Sequence, residues 1–191
     1  MKNSLKMALA AVGLVATGAF AADPIEPLAR TCNACHGLNG VSVGPSMPSI
    51  GGLSEVYLKN LMLQWKKGER YSATMGRHFK GYSDDELAAL AAYYAKQPWV
   101  PVVQKADAAT LAKGKEATER CETCHGATGG EPDDADTPRL NGQWSEYLHL
   151  ELEKYRTESA AMPHKKMRNN AKKLDPEGVE AAAKFYAAQP K

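Results

Sequence analysis

The apolar positions of this chain fall into helical runs separated by long loops, and the runs come in two matching sets. In residues 54–67, Tyr57, Leu58, Leu61, Met62 and Trp65 recur at spacings of three and four, which puts them on one helical face, with Met62 in the core. Ser83-Asp84-Asp85-Glu86 is a capping box opening a helix to about Gln97. Asp107 can cap a further helix, another spans Ser145 to Thr157, and Asp175-Pro176 supplies the cap and first-turn proline of a last helix ending near Gln189. No run alternates as a strand does. The predicted fold class is all-α.

The two sets of runs are copies of one another. Pro48-Ser49-Ile50-Gly51-Gly52 is answered by Pro138-Arg139-Leu140-Asn141-Gly142, and Ser54-Glu55-Val56-Tyr57-Leu58 by Ser145-Glu146-Tyr147-Leu148. Tyr93-Tyr94-Ala95-Lys96-Gln97-Pro98 is answered by Phe185-Tyr186-Ala187-Ala188-Gln189-Pro190. A shared order of blocks at a nearly constant offset argues for duplication. The expected organisation is a first domain at 22–98, a linker at 99–107 and a second domain at 108–191. The linker holds Val100-Pro101-Val102-Val103, an extended segment that finds no partner strand elsewhere. Halves of about 75 to 85 residues are marginal for a hydrophobic core alone. Each needs apolar surface from something bound.

The first 21 residues read as an export signal. Lys2 and Lys6 form a basic start, residues 7–20 are apolar or small, and Ala19-Phe20-Ala21 gives a small-x-small cleavage site. The apolar stretch is short for a membrane span and no second one follows, although an uncleaved anchor is the alternative. Cleavage removes two of the lysines behind the formal charge of +2 and no acid, leaving a neutral chain. Such a chain has no basic field for nucleic acid. The expected location is the periplasm, with no membrane span after cleavage.

Two Cys-x-x-Cys-His strings, Cys32-Asn33-Ala34-Cys35-His36 and Cys121-Glu122-Thr123-Cys124-His125, use all four cysteines and two of the five histidines. They lie 121 − 32 = 89 residues apart, in register with the repeat. This spacing is the attachment site for haem c. Thiols three residues apart on a helical turn share a face and can each bond a haem vinyl group, and the following His reaches the iron. A single zinc on four cysteines, or a redox dithiol, are the alternatives. Neither explains a His after both pairs. The expected cofactors are two covalent haems, held by Cys32, Cys35, Cys121 and Cys124, with His36 and His125 as axial ligands.

Methionine suits the sixth position in an electron carrier, because it closes the iron and raises its potential. Met75 lies eight residues before the helix cap Ser83, and Met167 eight before the equivalent cap Asp175. Met162 and His164 compete with Met167. They fail the repeat, since 162 − 92 = 70 gives Arg70. His78 and His149 read as surface or capping residues, and Met47 as a loop residue able to line haem. Pro48 and Pro138 follow His36 and His125 by 12 and 13 residues, so their carbonyls can accept from the proximal imidazoles.

Each half resembles a class I cytochrome c: Cys-x-x-Cys-His, then Pro-x-[Leu/Ile]-x-Gly, a middle helix, a late Met and a last helix. The tandem is similar to dihaem cytochromes of the cytochrome c4 type. It is more similar still to the dihaem cytochrome subunit of flavocytochrome c sulfide dehydrogenase. The segments that carry this are Ser42-Val43-Gly44-Pro45-Ser46-Met47-Pro48-Ser49-Ile50, Met75-Gly76-Arg77-His78-Phe79-Lys80-Gly81-Tyr82-Ser83, Leu140-Asn141-Gly142-Gln143-Trp144 and Met162-Pro163-His164-Lys165-Lys166-Met167. The resemblance implies a separate FAD-containing flavoprotein that oxidises sulfide, and a cytochrome that passes the electrons to a soluble acceptor. It also implies a docking face on the first half, near Met75 and residues 42–50. The chain itself has no flavin fingerprint and no spare cysteine for sulfur chemistry. A free electron shuttle to a terminal oxidase is the alternative, and a haem enzyme needing an open iron position is a third reading.

Overall fold

The computed structural model describes residues 24–157 and 160–190. The expected export signal at 1–21 lies outside the described residues. The helices are α1 (Glu26–Ala29), α2 (Asn33–His36), α3 (Glu55–Lys67), α4 (Met75–His78), α5 (Asp84–Ala95), α6 (Ala108–Thr118), α7 (Glu122–His125), α8 (Ser145–Thr157), α9 (Lys165–Ala171) and α10 (Pro176–Ala187). Among the described residues there is no strand.

The caps named from the sequence at Ser83, Asp107 and Asp175 form, and α3 has one at Ser54 as well. Ser54 Oγ accepts from Tyr57 N at the start of α3, and Gly68 closes that helix in a left-handed conformation. Ser83 and Glu86 bond reciprocally at the start of α5. Asp107 and Asp175 each accept from a backbone amide of the first turn of α6 and α10. The short α9, which contains Met167, has no cap of this kind. His164 enters it in a left-handed conformation at φ 62°.

In the first half α3 packs on α5, burying Leu58, Met62, Leu87, Leu90, Ala91 and Tyr94, while Tyr94 Oη donates to Ala29 O at 2.7 Å. In the second half α6 crosses α10 at Gly114, where an added Cβ would collide with Ala181 O and Phe185 Cβ. Glycine there lets the two backbones approach closely.

The halves are joined by polar side chains that bond backbone across the repeat. Gln143 Oε1 accepts from Ser49 N at 2.9 Å, and Gln143 Nε2 donates to Ser49 O at 2.8 Å. Trp144 Nε1 donates to Ser42 O, and Tyr147 N to Pro45 O. Residues 99–104 have no regular secondary structure and bond onto the second half: Trp99 Nε1 donates to Asn141 O, Val102 N to Gly142 O and Gln104 N to Ala187 O. Gln143→Leu should therefore strand two buried backbone groups of Ser49 and cost about 2–4 kcal/mol. Chemical denaturation and amide exchange check this. The expected result is a lowered midpoint with faster exchange at Ser49, and an unchanged midpoint contradicts it.

Candidate functional site around the two cysteine–histidine motifs

Both motifs are built alike. The second Cys and the His lie on a single helical turn, α2 or α7, with the first Cys as its leading residue. The glycine that follows, Gly37 at φ 74° or Gly126 at φ 76°, turns the chain away in a conformation that L side chains avoid. The chain then loops back to the same imidazole. His36 Nδ1 lies 2.9 Å from Pro48 O, and His125 Nδ1 lies 2.9 Å from Pro138 O. A carbonyl only accepts, so Nδ1 is the protonated nitrogen in each ring and Nε2 keeps the lone pair. Burial pushes both imidazoles below their ordinary pKa, which favours this neutral, ligating form. The two loops are pinned by equivalent bonds: Ile50 N to Gly40 O in one half, Leu140 N to Gly129 O in the other.

The motifs open onto one continuous cleft of about 540 Å³, lined by both halves. Cys32, Cys35, His36, Pro48 and Met75 line it from the first half, and Cys121, Cys124, His125, Pro138 and Met167 from the second. The structure thus brings together every residue singled out for haem binding. It separates the competing ligands of the second half. Met162 is 4% exposed and packs with Tyr155 and Ala171, away from the cleft lining, while His164 and Met167 lie on it. His78 lines the cleft but is largely exposed, and Met47 lies at its exposed rim.

The cleft suits a large apolar group with an anionic edge. Leu58, Leu61, Leu90, Leu140 and Leu148 line it, and the four thiols are free. Four cleft-lining residues, Trp65, Arg70, Arg139 and Tyr186, each have a buried donor with no partner in the protein: Trp65 Nε1, Arg70 Nε, Arg139 Nε and Tyr186 Oη. Buried donors left unpaired cost about 1–3 kcal/mol each, and their clustering on this wall is compatible with a carboxylate-bearing occupant. Haem carries both the apolar ring and the carboxylates. Among the described residues, no group of three or more His, Cys, Asp or Glu side chains is arranged to hold a bare metal ion. The thiols therefore do not converge on a zinc site.

Sequence reasoning missed a second set of cleft residues. Arg70 follows α3, and its guanidinium donates to Tyr155 Oη at 2.7 Å and Glu151 Oε2 at 2.6 Å, both on α8. Arg139 lies 5.6 Å over Trp99 and donates to Gly130 O. The available signal was the repeat itself, which sets Arg70 opposite Met162 and so breaks the copy at that position.

No protein-family profile matches the chain. A cytochrome c4 from Pseudomonas aeruginosa is 32% identical over 194 residues, covering 95% of this chain and 94% of that protein. A thiosulfate dehydrogenase electron acceptor from Thiomonas intermedia is 30% identical over 203 residues, covering 100% of this chain and 92% of that protein. The cytochrome subunit of sulfide dehydrogenase from Chlorobaculum tepidum is 36% identical over 90 residues, covering 43% of this chain and 81% of that protein. Among solved structures, reduced recombinant cytochrome c4 from Pseudomonas stutzeri superposes with a TM-score of 0.78 at 26% identity, covering 86% of this chain and 96% of that chain.

Proposed function

The chain belongs to the cytochrome c4 family of dihaem electron carriers, and from that membership we propose a specific place for it: the electron-accepting subunit of a sulfide-oxidising flavoprotein in the periplasm. Its cofactors are two covalently bound haem c groups, and its role is electron transfer. When bound, each haem supplies a one-electron couple.

In this reading Cys32 and Cys35 hold the first haem by thioether bonds, and Cys121 and Cys124 the second. His36 and His125 supply the proximal nitrogens through Nε2. The carbonyls of Pro48 and Pro138 fix the imidazole planes by accepting from Nδ1 and increase the basicity of the ligating nitrogens. Met75 and Met167 would supply the sixth ligands, and an iron so ligated would have no position open to a substrate. The observation that carries the ligand assignment is the meeting of both motifs and both methionines on one cleft.

The partner reading is supported by the likeness to the sulfide dehydrogenase cytochrome subunit and by the surface of the first half. Residues 31–54 carry no Asp, Glu, Lys or Arg, and Leu38 and Val43 of that stretch are 72% and 88% exposed. An apolar, uncharged rim beside Cys35 suits a lasting contact with another protein, such as the FAD-containing subunit. The corresponding stretch of the second half, 120–145, carries Glu122, Glu131, Asp133, Asp134 and Asp136 against Arg120 and Arg139, a net acidic balance that suits a brief, salt-sensitive encounter with a soluble acceptor. The free-shuttle reading is favoured by one observation: likeness to cytochrome c4 runs along nearly the whole chain.

Met75→Ala and Met167→Ala should each convert one haem to a high-spin or ligand-exchanged form and lower its potential, and Met162→Ala should leave both low-spin. Optical spectra and potentiometry of the holoprotein check this. Loss of methionine ligation of the second haem in Met162→Ala, with Met167→Ala unaffected, contradicts it.

Reconstitution with a FAD-containing sulfide dehydrogenase subunit tests the partner. Fast haem reduction on adding sulfide is expected. Absent reduction with both haems intact, alongside fast exchange with a terminal oxidase, rejects the flavoprotein role and leaves the shuttle.

A further inference from the structure

Arg70 belongs to the first half, but its guanidinium is held by the second. Nη2 donates to Glu151 Oε2 at 2.6 Å and Nη1 to Tyr155 Oη at 2.7 Å. The next residue is pinned across as well, with Tyr71 N donating to Ala161 O at 2.7 Å. The guanidinium carbon sits 5.3 Å from the Tyr155 ring centre and 6.0 Å from that of Trp65. Aromatic rings of both halves therefore fix one cation in one place.

Its charge is withdrawn from solvent and faces one carboxylate, that of Glu151. Arg70 is 5% exposed. The other oxygen of Glu151 accepts from Lys154 Nζ at 2.5 Å, so the cluster holds two cations and one anion. Arg70, Trp65, Glu151, Lys154 and Tyr155 all line the cleft that also holds both Cys-x-x-Cys-His motifs. Burial keeps the Tyr155 hydroxyl protonated, so it adds no charge.

Stability alone does not account for this arrangement. A buried ion pair is often no better for stability than apolar residues of the same volume. Here it comes with an unpartnered Nε and an unpartnered Trp65 Nε1 on the cleft wall.

We propose that Arg70 and Glu151 form an electrostatic bridge shared by the two haem sites, the cation favouring reduction at both and its counter-ion opposing reduction at both. This rests on the two-haem reading. Reduction adds one negative charge at an iron, and a buried cation favours it. Because the cation is anchored on both halves, its field reaches both sites and links them.

The test is a spectroelectrochemical titration of the full-length holoprotein, each variant first shown to carry two haems by pyridine haemochrome assay. A haem count below two in the unaltered chain rejects the two-haem reading; the titration tests the bridge alone. Arg70→Gln should make both haems harder to reduce, lowering each reduction constant about tenfold. Glu151→Gln should make both easier to reduce. Arg70→Lys, which keeps the charge and loses the planar fork, should stay close to the unaltered protein. A change confined to one haem overturns the proposal, as do changes of the same sign in Arg70→Gln and Glu151→Gln, or a shift in Arg70→Lys equal to that in Arg70→Gln. If Arg70→Gln does not fold, Glu151→Gln decides: easier reduction of both haems is expected, and no change, a change at one haem only or harder reduction overturns the proposal.

Discussion

The burial of a large apolar group in a cleft that two small helical halves cannot fill is the constraint on which this structure depends. Each half packs a modest core: Leu58, Met62, Leu87 and Leu90 in the first, Leu148, Ala183, Phe185 and Tyr186 in the second. Domains of this size bury too little surface to be secure on side chains alone. The space between α3, α5 and the first motif, and between α8, α10 and the second, is a continuous cleft lined by leucines and thiols. Haem supplies the missing core. Its covalent bonds keep it there through every redox cycle.

That constraint explains the loops as well as the helices. The segments after each motif have no regular structure of their own, yet they end on the imidazole they started from, at Pro48 and Pro138. The glycines after each His make the turn, and backbone bonds to Gly40 and Gly129 hold it. Side chains then lock one half's loop to the other, with Gln143 on Ser49 and Trp144 on Ser42. The two cofactor sites share walls, and this makes the molecule one electron carrier with two centres instead of two carriers on a string.

Much of this was legible in the sequence, and the reason is local chemistry. The caps at Ser83, Asp107 and Asp175 announce their helices through residues within one turn. The haem motifs and the proline carbonyls follow from spacing within about a dozen residues and from the repeat. The Arg70–Glu151–Tyr155 cluster was not legible, because its partners are 81 and 85 residues away and no local pattern pairs them. The α9 turn was missed for a different reason. It is short, lacks a capping side chain and is entered through a left-handed His164, which sequence propensity does not favour. Met167 was chosen over Met162 by spacing, and in the fold Met162 packs against Tyr155 and Ala171 while Met167 lines the cleft.

The central claim is that two covalent haems complete this fold. Intact mass measurement of the exported protein, after acid–acetone extraction and alongside a pyridine haemochrome assay, tests it most directly. The account predicts one chain carrying two haems that extraction does not remove. A chain that carries a single haem, releases its haem on extraction, or binds zinc in its place contradicts it.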